Sequence, residues 1–223
     1  MPEGKIRYEW KHVVNLSDCI ALRQRLRLIT VPDQYASYNG TCRIRNVYFD
    51  SFKQRRLATD QTEKFRIRCY NGDDSRIYLE KKKKIGERYQ KEAIPITREE
   101  CHRLLHGDVE WMTDSKRPLL VELYAKMCYQ NLRPKALVDY LRESFLYPAE
   151  NARVTIDSNI RSGLNAWDFF RPSLSSMRTC TRGTAILEVE YDTDIPDIIS
   201  DIIQMCNRPY NRFPSYNGYR LFG

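Results

Sequence analysis

Charged or polar side chains recur at every second position in five segments of this 223-residue chain. In a β-strand, residues two apart face the same side, so each segment would carry charges on one face and apolar residues on the other. Cations grouped in this way suit phosphate oxygens, and grouped carboxylates suit a hard divalent cation. The in-phase sets are Arg7, Glu9 and Lys11; Arg66 and Arg68; Glu80, Lys82 and Lys84; Arg153, Thr155 and Asp157; and Glu188 and Glu190.

The simplest interpretation of each set is the solvated outer face of a sheet. Like charges such as Arg66 and Arg68 would then stand about 7 Å apart on one face, which is unfavourable without counter-ions. If the sets instead line one interior, their charges can pair with one another and with water inside a barrel. The pattern therefore favours a cavity for a polyanion and a metal. The carboxylates sharing that interior, and holding the metal, would be Glu9, Glu80, Glu188 and Glu190.

Other catalytic and binding motifs are missing from the sequence. It has no glycine-rich loop of the Walker or G-x-G-x-x-G type, so side chains would have to hold any nucleotide. No Ser or Cys nucleophile stands in a recognisable arrangement with His. His102 and His106 are four residues apart but lack the glutamate of a zincin helix, and no C-x-x-C pair predicts a zinc ribbon. We interpret the two histidines as part of a helix surface.

About eight strands, which must position these charges, are predicted from the alternation of apolar and polar residues. The turn cluster Asn-Gly-Asp-Asp at 71–74 joins two of them into a hairpin. Hairpin-like spacing with helices in the gaps predicts the α+β class, with an antiparallel barrel or curved sheet and helices packed outside. The strands are predicted near 5–13, 42–50, 63–70, 76–84, 88–96, 135–145, 152–160 and 184–191.

Four or five helices are predicted between the strands, and the first two have recognisable caps. Ser17 would cap a helix that runs to about Leu28. Thr97 and Glu100 form a capping box for a short helix that ends near His106. The apolar positions of the first helix are Ile20, Leu22 and Leu26.

Two further helices are predicted in the second half of the chain. One covers Leu119–Gln130, and the other opens at Pro196, where proline suits the first turn of a helix. The apolar residues of this last helix recur at helical spacing and predict one buried face. That face would consist of Ile198, Ile199, Ile202 and Ile203.

Composition restricts the class of protein. The 37 Lys and Arg residues outnumber the 29 Asp and Glu residues by eight, which favours an anionic partner. Hydrophobic residues make up 42% of the chain, enough for one large domain, and we predict a single domain over residues 1–223. No apolar run approaches the ~20 residues of a membrane helix, no secretory signal is recognisable, and the seven scattered cysteines suit a reducing cytosol. We therefore expect a cytoplasmic protein and exclude collagens, coiled coils and integral membrane proteins.

Six short motifs resemble those of the triphosphate tunnel metalloenzymes. More specifically, the chain resembles the polyphosphate polymerase domain of the vacuolar transporter chaperone (VTC) complex and its bacterial relatives, over nearly its whole length. Each motif is short, but their order and phase together are fairly specific. They are Arg-Tyr-Glu-Trp-Lys at 7–11, Val-Tyr-Phe-Asp at 47–50, Lys-Phe-Arg-Ile-Arg at 64–68, Tyr-Leu-Glu-Lys-Lys at 78–82, Arg-Val-Thr-Ile-Asp at 153–157 and Ile-Leu-Glu-Val-Glu at 186–190.

This resemblance implies an eight-stranded antiparallel β-barrel, a tunnel that holds a tri- or polyphosphate chain. It also implies a polymerase that transfers the terminal phosphoryl group of ATP to a growing polyphosphate, with Mn²⁺ or Mg²⁺ as cofactor. The metal is expected on Glu188, with Glu9 and Glu190 as further ligands. Catalysis is expected to depend on Lys11, Arg66, Arg68 and Glu188. The expected phosphate-binding residues are Lys11, Arg66, Arg68, Lys82, Lys91, Arg142, Arg153, Arg212 and Ser215.

Two departures from the polymerase pattern leave other functions open. The polymerases commonly have Lys two residues after the metal glutamate, where this chain has Glu190. Near the C-terminus they tend to read Lys-Phe-Ser-Lys-Tyr, whereas this chain has Arg-Phe-Pro-Ser-Tyr at 212–216. The alternatives are therefore a triphosphatase acting on inorganic or nucleoside triphosphate, and a non-catalytic polyphosphate-binding module.

The expected partners are ATP and polyphosphate or triphosphate. Nucleic acid is not expected, because its only support is the net charge and no nucleic-acid-binding motif accompanies that charge. The family often combines this domain with membrane segments or other modules. None is recognisable in this sequence, so a membrane-protein partner in trans stays open.

Overall fold

Ten β-strands and four α-helices make up the part of the chain that the computed structural model describes, which is residues 4, 6–33, 37, 40–51, 63–163, 165–171, 176–178 and 183–204. The helices are α1 (Leu16–Ile29), α2 (Arg98–His106), α3 (Pro118–Tyr129) and α4 (Asp197–Gln204). The strands are β1 (Ile6–Asn15), β2 (Val31–Pro32), β3 (Thr41–Ser51), β4 (Glu63–Tyr70), β5 (Ile77–Ile85), β6 (Arg88–Pro95), β7 (Leu132–Tyr147), β8 (Ala152–Gly163), β9 (Ser176–Arg178) and β10 (Thr184–Tyr191).

The strands follow the hydrogen-bonded order β2-β7-β3-β4-β5-β6-β1-β10-β8-β9, and β7 also pairs with β8. Because of that extra pairing, eight strands form a closed antiparallel β-barrel, to which β2 and β9 are short additions. The predicted α+β class and barrel are therefore confirmed. The predicted hairpin is present, with Asn71 and Gly72 at positive φ in the turn between β4 and β5. None of the described helices is both long enough and apolar enough to span a bilayer.

The chain divides into two compact units. Unit 1 contains Ile44–Val138 and Ser162–Ser176 together with Met1–Lys5, and unit 2 contains Ile6–Arg43, Asp139–Arg161 and Met177–Gly223. Each unit buries a hydrophobic core of its own, described separately below. A single domain over 1–223 stays a prediction.

The core of unit 1 lies between one face of its strands and two helices. Phe65 and Ile67 of β4 are buried in it with Leu79 of β5, Leu104 of α2 and Leu120 of α3. Because side chains alternate along a strand, burial of Phe65 and Ile67 sends the residues between and after them to the opposite face of β4. That opposite face carries the arginines of the motif at 64–68.

The core of unit 2 is built in the same way from different strands. Val154 of β8 and Leu187 of β10 are buried together with Leu22 and Leu26 of α1 and Ile199 of α4. Strands β8 and β10 pair antiparallel, with Val154 opposite Val189. The intervening residues of both strands, which are polar, lie on the opposite face of the sheet.

Helix α1 begins two residues earlier than a Ser17 cap would place it, so that prediction is wrong. Asn15 is the N-cap: its Oδ1 accepts from the backbone N–H of Asp18 at 2.8 Å, and Asp18 Oδ2 accepts from the N–H of Asn15 at 3.1 Å. Strand β1 runs directly into the helix, so the last extended residue becomes the cap. The capping box of Thr97 and Glu100 on α2 is confirmed.

Two isoleucines predicted to face the core are exposed. Ile20 of α1 is 49% exposed and Ile198 of α4 is 41% exposed. Neighbouring residues point about 100° apart around a helix, so a narrow buried stripe accepts only some members of an apolar run. In α4 the stripe takes Ile199 and Ile203, and in α1 it takes Leu22 and Leu26.

Candidate functional site

The polar faces of the strands are buried in each unit. In unit 1, Arg68 is 2% exposed and Glu80 is 3% exposed, and in unit 2 Glu188 is 5% exposed. A solvated outer face would leave such side chains open to water, since charged residues are seldom fully buried unless they are paired. The simplest interpretation of the in-phase charges is therefore wrong for these strands.

Unit 1 contains a basic cluster, which consists of Arg66, Arg68 and Lys91 around the carboxylate of Glu80. Arg66 Nε lies 2.6 Å from Glu80 Oε2, Lys91 Nζ lies 3.0 Å from Oε1, and Arg68 Nη1 lies 3.7 Å from Oε1. The formal charges of these four side chains sum to +2 (3 − 1). Such an excess in a buried place suits the oxygens of a phosphate chain.

Two neutral side chains of β3 orient the arginines of the basic cluster. Arg66 Nη1 donates to the hydroxyl of Tyr48 at 3.3 Å, and Arg68 Nε donates to Asn46 Oδ1 at 2.8 Å. The register explains both contacts, because Tyr48 stands opposite Arg66 and Asn46 opposite Arg68 in the β3–β4 pair. These hydrogen bonds fix the orientation of the two planar guanidinium groups, which favours bidentate recognition of phosphate.

Glu80 stays ionised because of the cations around it. Burial raises the pKa of this carboxyl, but the attraction of Arg66, Arg68 and Lys91 outweighs burial and holds the pKa well below its usual range. Glu80 therefore acts as the shared counter-ion of the basic cluster. Sequence reasoning placed Glu80 among the metal-holding carboxylates, whereas the structure surrounds it with cations.

We expect Glu80→Gln to destabilise the free protein by about 1–3 kcal/mol at pH 7, because the substitution leaves buried cations without their counter-ion. The cost stays below the ~3–5 kcal/mol of a fully buried pair because Arg66 and Lys91 are partly exposed. A depressed carboxyl pKa contributes stability that is present above its ordinary value of 4.5 and is lost as the pH falls through the lower folded value.

The stability difference between wild type and Glu80→Gln should therefore be constant near neutrality and shrink as the pH falls below about 4.5. Denaturant unfolding at a series of pH values measures it. Glu122→Gln is the matched control, because Glu122 forms a more exposed pair with Lys81 and should show little pH-dependent difference. A difference for Glu80→Gln that persists unchanged into strong acid would contradict the role of Glu80 as counter-ion.

The lysine run at 81–84 divides between the two faces of β5. Lys82 stands opposite Lys91 in the β5–β6 pair, and its Nζ lies 4.2 Å from the ring centre of Tyr89. It therefore extends the row that includes the basic cluster. Lys81 is buried on the core-facing side, where its Nζ contacts Glu122 at 2.7 Å.

Unit 2 contains a carboxylate cluster, which consists of Glu9, Glu188 and Glu190. Each offers a carboxylate oxygen, and these oxygens lie within 4.8 Å of one another. Glu9 stands opposite Glu190 in the β1–β10 pair, and Glu188 lies two residues away on the same face. The predicted metal-ligand set is therefore brought together, and hard carboxylate oxygens fit Mg²⁺ or Mn²⁺.

Cations surround the carboxylate cluster and offset most of its charge. Glu9, Glu188, Glu190, Asp157 and Asp192 supply five negative charges, and Arg7, Lys11, Arg142 and Arg153 supply four positive charges, so the local sum is 4 − 5 = −1. The pairs are Lys11 with Glu9 at 3.0 Å and Glu188 at 3.6 Å, Arg142 with Asp157 at 2.6 Å and Glu188 at 3.0 Å, Arg153 with Glu190 at 2.6 Å, and Arg7 with Glu190 at 3.5 Å.

The arginines of unit 2 are firmly charged. For Arg142 burial lowers the pKa, but attraction to Asp157 outweighs it and the pKa lies well above its usual range. For Arg153 attraction to Glu190 is the main cause of a raised pKa, against the effect of burial. These cations hold carboxylates in the structure, and their expected contacts with phosphate stay a prediction.

Two buried polar atoms of β8 lie beside the carboxylate cluster without a partner. Among the described residues, neither Arg153 Nε nor Thr155 Oγ1 has a hydrogen-bond acceptor or donor. Register places Thr155 opposite Glu188 and Arg153 opposite Glu190. Buried polar atoms are almost always satisfied, so these two indicate that the cluster receives a further ligand or ordered water.

The predicted site residues thus fall into two groups within their units. Unit 1 brings Arg66, Arg68, Lys82 and Lys91 to one face, and unit 2 gathers the predicted metal ligands with Lys11, Arg142 and Arg153. Arg212 and Ser215 lie outside the described residues. The sequence did not identify Asn46 and Tyr48 as polar-face residues, although the two stand two apart in the strand predicted at 42–50.

Comparison with known proteins supports the sequence resemblance. The family model described as "VTC domain" matches residues 6–221. A candidate adenylate cyclase from Bacillus halodurans is 13% identical, with a TM-score of 0.60 and 98% of each chain covered. A candidate adenylyl cyclase from Hippeastrum, described as having a dominant triphosphatase activity, is 11% identical, with a TM-score of 0.56 over 98% of this chain and 94% of that one. At these identities the likeness shows the fold alone, and no curated protein sequence matches the chain.

Proposed function

The chain belongs to the VTC domain family, and from that premise we propose that it is a metal-dependent polyphosphate polymerase. In the proposed reaction, the bond between the γ-phosphorus of ATP and the oxygen of ADP breaks. A new bond forms between that phosphorus and a terminal oxygen of the phosphate chain, and ADP leaves. The observation that carries the proposal is the buried basic cluster, in which three cations gather around one carboxylate, an arrangement that suits a polyanion.

The basic cluster is the proposed phosphate-binding site of unit 1. Arg66 and Arg68 offer forked donors to non-bridging oxygens, while Lys91 and Lys82 act as point charges. Phosphoryl transfer spreads negative charge over the equatorial oxygens, so oriented cations can lower the barrier without any covalent chemistry by the protein. This agrees with the lack of a recognisable nucleophile in the sequence.

The carboxylate cluster is the proposed metal site of unit 2. Glu188, Glu9 and Glu190 would hold Mn²⁺ or Mg²⁺, which supplies positive charge to phosphate oxygens when it is bound. Lys11, Arg142 and Arg153 orient these carboxylates through the ion pairs described above. The same cations are proposed to contact phosphate once the metal offsets their carboxylate partners.

Incubation of the pure protein with ATP and Mn²⁺ tests the proposal. Formation of long phosphate polymers together with ADP is the expected result. Orthophosphate without polymer would favour a triphosphatase, and tight polyphosphate binding with neither product would favour a non-catalytic module. With ATP as donor, we propose that the reaction takes place in the cytoplasm.

A triphosphatase is the second candidate, and Glu190 favours it. The third carboxylate brings more negative charge to the proposed metal than a lysine at this position would. More carboxylate and less positive charge suit a metal-activated water better than a long polyanion. The triphosphatase activity described for the Hippeastrum protein is compatible with this alternative.

We expect Glu190→Gln to weaken Mn²⁺ binding by about 10–100-fold, because one of three anionic ligands is lost. Calorimetric titration of the protein with Mn²⁺ alone measures this. Asp192→Asn is the matched control, since Asp192 pairs with Arg7 at 2.9 Å but is not part of the carboxylate cluster. Equal Mn²⁺ affinity of Glu190→Gln and wild type would show that Glu190 is only a counter-ion of Arg153.

A further inference from the structure

Asn46 is a fully buried amide on the charged face of unit 1. It is 0% exposed, and it stands opposite Arg68 in the β3–β4 pair. Its Oδ1 accepts from Arg68 Nε at 2.8 Å. The oxygen of this side-chain amide therefore has a hydrogen-bond donor within the protein.

The nitrogen of the same amide is not satisfied. Among the described residues, no acceptor lies within hydrogen-bond distance of Asn46 Nδ2. An amide carries two N–H donors, and burying them without an acceptor is energetically unfavourable. A fold would not be expected to retain such a residue in a packed strand unless an acceptor arrives from elsewhere.

The surroundings of Asn46 specify what that acceptor is. A donor cannot ligate a metal cation, so the missing partner is a hydrogen-bond acceptor. Glu80, the carboxylate of the basic cluster, is already paired with Arg66, Arg68 and Lys91. An acceptor that enters this net-positive cluster is favoured if it is anionic.

We propose that Asn46 is a phosphate-binding residue, whose Nδ2 donates to a non-bridging oxygen of the bound phosphate chain while its Oδ1 orients Arg68. This inference rests on the proposed function and adds a neutral donor to a site otherwise built from cations. A neutral donor contributes a short-range hydrogen bond, whose strength depends little on ionic strength. The contribution of Arg66 is charged and should weaken as salt is added.

The first test uses the wild-type protein and inorganic tripolyphosphate. In a nitrogen-15 NMR titration, the side-chain amide signals of Asn46, assigned by their disappearance in Asn46→Asp, should shift strongly as tripolyphosphate binds. Signals that stay in place while the protein binds tripolyphosphate would overturn the inference, because a water molecule would then be the only partner of the nitrogen. The titration itself uses only the wild-type protein, and Asn46→Asp serves only to assign the signals.

The second test compares affinities for tripolyphosphate at two salt concentrations. Asn46→Leu should bind about 10–100-fold more weakly, as expected for the loss of a hydrogen bond to a charged group, by nearly the same factor at both concentrations. Asn165→Ala, an exposed asparagine of unit 1, is the control and should bind like wild type. If wild type does not bind tripolyphosphate at all, the proposed function fails and the inference with it. If wild type binds and Asn46→Leu binds equally well, only the inference fails.

Discussion

Glu188→Gln should lower metal-dependent turnover by about 10²–10⁴-fold while the protein keeps its fold. Glu188 is the most buried member of the carboxylate cluster, and it contacts Lys11 at 3.6 Å and Arg142 at 3.0 Å. Loss of its charge would weaken metal binding and remove several kcal/mol of transition-state stabilisation. Each factor of ten in rate corresponds to about 1.4 kcal/mol. Glutamine has nearly the same shape, so packing around the residue is preserved.

Turnover of ATP over a range of Mn²⁺ concentrations measures this effect, with circular dichroism as the check on folding. Glu143→Gln is the matched control: Glu143 is equally buried in unit 2, but it pairs with Arg23 at 2.6 Å and is not part of the carboxylate cluster. The control should retain turnover and lose only stability. Undiminished turnover of Glu188→Gln would remove the metal assignment, whatever product the enzyme makes.

Arg66→Ala should weaken the binding of tripolyphosphate by about 10²-fold at low salt. Its guanidinium is held by Glu80 at 2.6 Å and by the Tyr48 hydroxyl at 3.3 Å, so it is already oriented before phosphate arrives. The substitution lowers the local charge of the basic cluster from +2 to +1 (2 − 1) and removes a forked donor. Charge-assisted hydrogen bonds of this kind contribute about 1.5–3 kcal/mol each.

Titration calorimetry without metal isolates this effect from catalysis. The salt dependence of binding should also become shallower in Arg66→Ala, because fewer charges are then screened. Arg103→Ala is the control, since Arg103 forms a surface pair with Asp108 at 2.6 Å and should leave binding unchanged. If Arg66→Ala retains full affinity at matched salt, the basic cluster is not a phosphate site.

Local patterns predicted most of the elements and their faces. The alternation of Phe65 and Ile67 with Arg66 and Arg68 identifies β4 and both of its sides, because strand periodicity depends only on neighbouring residues. The capping box at 97–100 is equally local, and it was found where predicted. The cap of α1 was misplaced because the end of β1 decides where the helix begins, and a strand end depends on its pairing partners.

Asn46 shows a different limit of sequence reasoning. In the chain it is one polar residue in a strand, between Arg45 and Val47, and its type alone suggests no role. Its buried nitrogen acquires meaning only beside Arg68, which is 22 residues away in sequence. The register between β3 and β4, which places Asn46 opposite Arg68, is thus what makes Asn46 a candidate phosphate-binding residue.

The sequence by itself determined which residues share a face and which charges are available, because both depend on residue type and on a period of two. Only the tertiary structure decided how those charges are paired. Glu80 pairs with cations of β4 and β6. Glu9, near the start of the chain, instead lies beside Glu188 and Glu190. The physical reason is that ion pairing follows distances of a few ångströms, and strand register brings together residues such as Glu9 and Glu190 that are 181 positions apart (190 − 9).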